Sequence, residues 1–272
     1  YAESGGQVGD KGELRNETVR FNVADTFKIQ ADVFGHQGEV LEGEIKVGDT
    51  LNALVDVAQR TDTMRNHSAT HILHKALREV LGDHVQQKGS LVDATKTRFD
   101  FTHNAPMTAE QIRRIEDIVN REILDNSATS GKVMSLEDAQ KTGAMMLFGE
   151  KYGDEVRVLE IGSSKELCGG THVSRSSQIG LVSMIGESSV GSGSRRLEAL
   201  VGIEAFRALA TERALVNRLV DSLKVPREQL EDRILASVED LKSAQKKLAS
   251  LNSERLALAI ARHDAGQTDA SD

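Results

Sequence analysis

One helix decides how this chain folds, and its central stretch reads RNHSATHILHKAL at residues 65–77. Apolar residues in and after this stretch recur at helical spacing, at Ala69, Ile72, Leu73, Ala76, Leu77 and Val80. This spacing predicts an amphipathic helix that begins near Asp62 and ends at Gly82. At about 100° per residue, His67 and His71 lie on the face opposite the apolar stripe. The helix therefore presents one apolar face and one face rich in histidine.

The spacing of His67 and His71 can bind a metal ion. Residues four apart lie one turn apart on the same face of a helix, so both imidazoles can reach one ion. A polar, exposed helix face explains the same two residues, and both interpretations stay open at this point. His74 shares the face, so the sequence leaves open which pair of histidines would bind.

A second group of metal-binding side chains follows a predicted strand. It reads CGGTH at residues 168–172 and contains the only cysteine of the chain. Its two glycines allow a tight turn that brings the Cys168 thiol and the His172 imidazole together. With His67 and His71, the set offers three imidazole nitrogens and one thiolate, which suits zinc. A lone buried cysteine and a cysteine–histidine nucleophile are the alternatives, although no third orienting partner is evident for the nucleophile.

Residues 58–202 are predicted to form an α+β domain around these two groups. A second helix is expected to start at the Thr108 cap, with Gln111 completing a capping box. Strands are predicted between the helices at residues 98–101, 132–135, 156–161, 180–185 and 195–201. The pattern leaves the order of these strands undetermined.

The segments on either side differ from this domain. Residues 1–57 alternate short apolar and polar runs with glycines between them, which predicts a small β-barrel. Residues 203–263 are rich in helix formers and are broken once at Pro226, which predicts two helices. Apolar residues of the second helix favour an antiparallel helical hairpin; they are Ile234, Val238, Leu241, Leu248 and Leu251. Residues 264–272 are small, polar and acidic, and are expected to form a disordered tail.

Composition excludes several classes of protein. The chain has 272 residues, of which 39% are hydrophobic and 28% charged. No apolar run approaches the ~20 residues of a membrane span, and disorder throughout is not expected. The net charge of -8 argues against a surface that coats nucleic acid broadly, although it permits contact with a few phosphates. The single cysteine and the lack of an apolar signal segment favour a cytoplasmic protein, and the start at Tyr1 favours a piece of a longer one.

Two glycine-rich segments are candidates for binding negatively charged groups. Residues 4–10 offer backbone amides, but their spacing matches neither the P-loop nor the dinucleotide motif, so a β turn is expected. Residues 191–196 read GSGSRR, in which hydroxyls and amides precede two guanidiniums that can bind phosphate. A hairpin loop followed by a solvated charge explains the second segment as well.

Seven motifs, in order, resemble the editing region of alanyl-tRNA synthetases. They are YAESGGQVGDKG (1–12), RNHSATHILHKAL (65–77), HVQQKGSLV (84–92), RFDF (98–101), MMLFGEKYG (145–153), ELCGGTHV (166–173) and SRRLEALVG (194–202). The same zinc signature is shared by free-standing alanyl-tRNA editing proteins and, more distantly, by the second domain of threonyl-tRNA synthetase. The resemblance covers residues 1–202, and the helices that follow are similar to the stem leading to the last domain of the synthetase.

The resemblance implies an aminoacyl-tRNA ester hydrolase that removes serine or glycine from tRNA(Ala), bound through its acceptor end. It implies zinc ligands at His67, His71, Cys168 and His172, and catalytic residues at Thr70, Gln87 and Cys168. Contacts to the aminoacyl group or the terminal phosphates are expected from Ser4, Gly5, Gly6, Gln7, Thr70, Gln87, Lys88, Arg195 and Arg196. Serine is larger than alanine, so the pocket has to require the hydroxyl, and we expect Thr70 to recognise it, followed by Gln87.

The same resemblance leaves parts of the synthetase unaccounted for. Its class II activating domain would precede Tyr1 and its last domain would follow the stem, so we expect the chain to deacylate but not to aminoacylate. A zinc-stabilised tRNA-binding or dimerising module without catalysis, associating through its helical stem, is the alternative. A metallopeptidase is disfavoured because HSATH lacks the glutamate of HExxH. Whether zinc would keep an open position for water or be closed by four ligands is not decided by the sequence.

Overall fold

The computed structural model describes residues 1–30, 33–146 and 152–268, with only the backbone described at 261–268. The chain divides into two compact units, Tyr1–Ala208 and Leu209–Asp272. All candidate site residues belong to the first unit. The MMLFGEKYG motif at 145–153 falls partly outside the described residues.

The β-strands, in chain order, are β1 (Gly12–Arg15), β2 (Arg20–Gln30), β3 (Val33–Glu42), β4 (Asn52–Val55), β5 (Gln87–Val92), β6 (Lys96–Thr102), β7 (Ser130–Ser135), β8 (Glu155–Ile161), β9 (Ser164–Leu167), β10 (Val182–Gly191) and β11 (Ser194–Val201). The α-helices are α1 (Val57–Leu81), α2 (Ala109–Leu124), α3 (Leu136–Lys141), α4 (Ile203–Leu223) and α5 (Leu230–Thr268). Two short 3₁₀ turns lie at Ser176–Ile179 and Arg227–Gln229.

The N-terminal sheet is open rather than closed. Its four antiparallel strands are ordered β3-β2-β1-β4, and the edge strands β3 and β4 do not pair with each other in the part of the chain that the structure describes. The predicted β-barrel is therefore wrong. Closing a barrel requires edge strands that can form a continuous ladder, and β4 has 4 residues whereas β3 has 10.

The core of the first unit lies between a central sheet and two helices. The sheet is antiparallel with the order β10-β11-β6-β5, and α1 and α2 pack against each other and against the sheet. The apolar stripe of α1 is buried in the same cluster as Phe99 and Phe101 of β6 and Leu197 of β11. The α+β prediction is confirmed, and all five predicted strands are present. Strands β5 and β9 were not predicted, because most of their residues, QKGS in β5 and SKE in β9, are polar and lack an alternating apolar pattern.

Helix α1 begins earlier than its apolar pattern indicates. Asp56 caps it, since the Asp56 carboxylate accepts a hydrogen bond from the Gln59 amide at 3.0 Å. The helix ends where predicted, because Gly82 has a φ of 115°, a conformation that favours glycine. The predicted capping box of α2 is also confirmed, with both reciprocal bonds between Thr108 and Gln111 present.

Two further segments bring the remaining site residues to α1. A small antiparallel sheet, β7-β8-β9, ends directly before Cys168. Near the N-terminus, the Val92 amide donates to the Gly6 carbonyl at 2.7 Å, and the Val8 amide donates to the Val92 carbonyl at 3.1 Å. These bonds attach the Ser-Gly-Gly-Gln segment to the end of β5 and place Gln7 beside α1.

The C-terminal unit is helical, but its apolar residues are not packed as predicted. The two helices are separated at Pro226, as expected. Along α5, however, the predicted seam residues are exposed: Ile234, Val238, Leu241, Leu248 and Leu251. The packed hairpin is therefore wrong, because so sparse an apolar repeat does not bury a continuous seam. Residues 264–268 of the predicted disordered tail continue α5, and residues 269–272 lie outside the described part. No helix that the structure describes is both long and apolar enough to cross a membrane.

We predict that a chain shortened to residues 1–208 folds with nearly unchanged thermal stability, because it retains the whole first unit. A chain ending at Gly202 is the matched comparison, since it also loses Ala205, which is fully buried. Circular dichroism melting should give a lower Tm for residues 1–202 than for residues 1–208. Aggregation of the 1–208 chain would contradict the division into units.

Candidate metal centre and adjoining pocket

The four predicted metal ligands converge on one point. His67 and His71 lie one turn apart on α1, while Cys168 follows β9 and His172 lies four residues further on. Their ligand atoms all lie within 4.8 Å of one another. The Cys168 sulfur is 3.5 Å from His67 Nε2 and 3.3 Å from His172 Nε2. His67 and His71 are both buried, so the alternative of an exposed polar face is wrong.

Each imidazole of the cluster is oriented by a polar side chain behind it. The pairs are His67 Nδ1 with Gln7 Oε1 at 2.7 Å, His71 Nδ1 with Glu166 Oε2 at 2.7 Å, and His172 Nδ1 with Ser68 Oγ at 3.3 Å. These contacts engage Nδ1 of each ring and leave Nε2 for the common point. Outer hydrogen bonds of this kind fix the tautomer of metal-binding histidines and raise their basicity.

The donor set and its spacing fit zinc. Bonds of about 2.0 to 2.3 Å in a tetrahedron would place sulfur and nitrogen about 3.5 Å apart, close to the distances found here. His71 Nε2 is buried and has no hydrogen-bond partner among the described residues. Burying such an atom unpaired is costly, and coordination to a metal ion would remove that cost. The four residues together could therefore hold one metal ion.

The lowered pKa values of Cys168 and His172 favour the binding of a cation, whereas the raised pKa of His71 opposes it. Burial opposes ionisation of the Cys168 thiol, but hydrogen bonds from His172 and His67 outweigh this effect and lower its pKa to about 2. Burial lowers the pKa of His172 to about 3, which keeps that imidazole neutral. Burial also acts to lower the pKa of His71, but Glu166 outweighs it and raises the pKa to about 10. A metal ion has to displace that proton, so binding should weaken as the pH falls.

The second glycine of CGGTH is required for space. A Cβ atom at Gly170 would lie 2.1 Å from His67 Cε1 and 2.9 Å from Gln7 Oε1, whereas a Cβ at Gly169 would meet nothing within 4 Å. Neither glycine has a positive φ, so the tight-turn explanation does not apply to their backbone conformation. Gly170 instead lets the loop approach the first ligand and its outer contact.

His74 does not belong to the metal cluster, although it shares the helix face. Its Nδ1 lies 3.0 Å from Glu166 Oε1, so one carboxylate contacts both His71 and His74. Burial acts to raise the pKa of Glu166, but the two histidines outweigh it and hold the pKa well below its usual range. Of the three histidines on this face, His67 and His71 are the two that join the candidate metal cluster.

A cavity of about 480 Å³ adjoins the cluster. His67, His71 and Cys168 form part of its wall, and Thr70, His74, Gln87 and Phe99 also line it. Of the N-terminal segment, Ser4 and Gly5 reach the cavity. Gln7 lies outside it and is fully buried; its amide oxygen accepts from the Thr171 amide at 2.9 Å and contacts His67. Gly6 packs against Ser90, where a Cβ would lie 2.1 Å from Ser90 Oγ.

The residues predicted to contact phosphates lie away from the cavity wall. Arg196 forms a bidentate ion pair with Asp100, at 2.7 and 2.8 Å, and Arg195 pairs with Glu187. Lys88 is exposed. Lys28, which was not predicted as a site residue, is exposed and lines the cavity.

Two residues of the site, Ser68 and Glu166, were not predicted from the sequence, and the position of His74 outside the cluster was left open. Glu166 lies two residues before Cys168, so period-2 alternation along β9 places both on the same side of the strand. That spacing was a usable signal. Ser68 sits between two ligands on the helix, where serine is too common to stand out.

Comparison with known proteins places the chain in a class. Residues 156–198 match the model of the threonyl and alanyl tRNA synthetase second additional domain, and residues 1–59 match that of class II (A) tRNA synthetases. The first match contains Cys168 and His172, and together the matches relate the chain to class II tRNA synthetases and to the additional domain of the threonyl and alanyl enzymes. The second match lies within residues 1–59 of this chain, whereas we expected the class II activating domain to lie only before Tyr1.

Individual relatives narrow this class. The chain is 74% identical over 254 residues to the alanine–tRNA ligase of Polynucleobacter asymbioticus, covering 93% of this chain and 29% of that protein. It is 61% identical over 251 residues to the enzyme of the same name from Methylibium petroleiphilum, with 92% and 29% covered. The chain belongs to the alanine–tRNA ligase family, and it spans less than a third of the length of these curated relatives.

We predict that the protein binds about one zinc per chain, and that Gly170→Ala weakens binding by about 10- to 100-fold because it displaces His67 and its outer contact. Gly169→Ala is the matched control and should leave binding unchanged, because its Cβ enters open space. Elemental analysis and competition with a chelator measure both quantities. Equal affinities for the two variants would contradict the assignment of His67 as a ligand.

Proposed function

We propose that this chain is the editing part of an alanine–tRNA ligase, which hydrolyses the ester that links serine or glycine to tRNA(Ala). The observation that carries the proposal is the position of three of the four candidate ligands in the wall of a cavity that Thr70 and Gln87 also line. The family supplies the nature of the substrate. The cavity supplies a place where an aminoacyl group can lie against polar side chains.

An aminoacyl ester is already activated, so its hydrolysis requires little beyond an oriented water and a polar partner for the developing oxyanion. Gln87 is suited to the first task. Its Nε2 donates to Ser90 Oγ over a long 3.3 Å, and Ser90 in turn donates to the Gly5 carbonyl at 3.2 Å. These contacts hold the Gln87 amide at the cavity wall, where its oxygen can accept a hydrogen bond from water. The ribose hydroxyl of the substrate is a second group that can orient the water.

Zinc, when bound, would supply a fixed positive charge that holds Cys168 as thiolate and stabilises the cavity wall. All four protein ligands converge in this structure, which favours a closed site over one with an open position for water. We therefore assign water orientation to Gln87 and recognition of the aminoacyl group to Thr70. Cys168 acts through the metal cluster and not as a nucleophile, since its thiolate lies among three imidazoles that hold it.

The acceptor end of tRNA would enter at the rim of the cavity. Lys28 lines the cavity, and Lys88 is exposed and directly follows Gln87 in the sequence. These two cations are therefore our candidates for phosphate contacts. Arg195 and Arg196 are weaker candidates because their guanidiniums are engaged by carboxylates. A tRNA substrate agrees with the cytoplasmic location expected from the sequence. Self-association through the exposed leucines of α5 is part of the proposal.

The proposal predicts that the chain releases serine and glycine from charged tRNA(Ala) and releases alanine much more slowly. Release of labelled amino acid over time measures all three rates. Cys168→Ala should lose zinc and release, because it removes the only thiolate of the cluster. Binding of tRNA without release of any amino acid would favour the non-catalytic module instead.

We further predict that Thr70→Val reduces the ratio of serine to alanine release by an amount equivalent to roughly 1 to 3 kcal/mol, the cost of one lost hydroxyl partner. Valine is nearly isosteric with threonine, so zinc content should not change. The ratio is measured on both charged tRNAs. An unchanged ratio would remove Thr70 from recognition of the hydroxyl.

A further inference from the structure

Glu166 orients two imidazoles toward two different places. Its Oε2 contacts His71 Nδ1 and its Oε1 contacts His74 Nδ1. His71 belongs to the metal cluster, whereas His74 lies outside the cluster and lines the cavity. Glu166 is buried, with 5% of its surface exposed, so water does not compete with either contact. Glu166 therefore orients His74, which lies outside the candidate metal cluster, in the same way as His71, which belongs to it.

The second nitrogen of His74 is unpaired. His74 is 1% exposed, and its Nε2 has no hydrogen-bond partner among the described residues. The ring packs against Phe99, with centroids 5.0 Å apart, which fixes its plane. In the tautomer whose Nδ1–H donates to Glu166, Nε2 carries the lone pair of the ring and accepts a hydrogen bond. The cavity wall thus contains a buried acceptor that needs a donor.

Thr70 lies one helical turn before His74, on the same face of α1, and also lines the cavity. Its hydroxyl lies 2.8 Å from the Asn66 carbonyl and 2.6 Å from Thr97 Oγ1. The Asn66 carbonyl also receives the helical amide of Thr70, so it stays paired if the hydroxyl turns away. Thr70 can therefore donate to a ligand at small cost, while His74 can accept from the same ligand.

We propose that His74 is a specificity-determining residue of the editing reaction and that its Nε2 accepts a hydrogen bond from the hydroxyl of the seryl group. Thr70 then donates to the oxygen of the same hydroxyl, so both of the hydroxyl's hydrogen-bonding roles are met. This inference rests on the proposed function. Alanine offers no donor and leaves Nε2 buried and unpaired, which is the kind of mismatch that gives strong discrimination against an analogue that lacks a hydroxyl.

Glycine provides the internal reference for this proposal. Glycine has no side chain and leaves the space of both Cβ and Oγ free, which is enough for a water that can donate to Nε2, whereas the alanine methyl group fills part of that space. Glycine release therefore does not depend on a substrate hydroxyl. Removal of that acceptor should therefore slow serine release more than glycine release. A role for His74 in binding the α-amino group, which serine and glycine share, would slow both equally.

The experiment compares His74→Asn with His74→Gln in the full chain. The terminal amide of asparagine falls near the position of Nδ1 and keeps the contact with Glu166, whereas that of glutamine falls near Nε2 and restores a polar atom there. We expect His74→Asn to lower the ratio of serine to glycine release by about 10-fold or more, and His74→Gln to recover most of it. His36→Asn, at an exposed position on β3, is the control and should leave both rates unchanged.

Zinc content and Tm are measured for every variant to separate loss of recognition from loss of fold. If His74→Asn has a lowered zinc content, both rates are measured again with zinc added until the content of the unaltered chain is restored. Equal slowing of serine and glycine release in a variant that retains zinc would overturn the assignment of His74. Absence of both releases in the unaltered chain would instead overturn the proposed function.

Discussion

The first unit depends on the approach of the loop at residues 168–172 to the polar face of α1. Four ligand atoms from these two segments lie within 4.8 Å of one another, although the segments are about a hundred residues apart in sequence. Three buried imidazoles and a thiolate in such a small volume are unfavourable unless each has a partner. Polar side chains satisfy the outer nitrogens, and a metal ion would satisfy the inner atoms. The arrangement is consequently stable only when all of these parts are present together.

This requirement explains why α1 is buried on both faces. Its apolar stripe packs against α2 and the central sheet, and its histidine face is covered by the loop, by Glu166 of β9 and by Gln7. Gln7 is fully buried and contacts both His67 and Thr171, so it joins the N-terminal segment to the two halves of the cluster. A helix with two buried faces leaves little freedom in its position. That rigidity is what a site needs in order to distinguish small amino acids.

Hydrolysis of an ester makes modest demands, so the difficulty of the proposed reaction lies in selection. Serine differs from alanine by one oxygen, and a cavity of about 480 Å³ cannot exclude the smaller alanine by size. Discrimination has to come from polar atoms that alanine leaves unpaired. The histidine face of α1 offers candidates for these atoms beside the candidate metal ligands, with Thr70 and His74 on one row and His67 and His71 on the adjacent one. Glu166 links the two rows, so the geometry of the metal cluster and that of the pocket are not independent.

The sequence by itself predicted the four candidate metal ligands, the two helices that cover the core, five strands of the first unit and the resemblance to a family. These features depend on local spacing: one helical turn between His67 and His71, a short loop between Cys168 and His172, and periodic apolar residues. Only the tertiary structure decided that the N-terminal sheet is open, that the α5 seam is exposed, that Gln7 serves the cluster and not the cavity, and that Arg195 and Arg196 are paired. It also decided that His74 contacts Glu166 and lines the cavity beside the cluster. The reason is that these properties depend on contacts between residues far apart in the chain, such as Glu166 with α1 and Asp100 with Arg196, and local periodicity carries no information about such contacts.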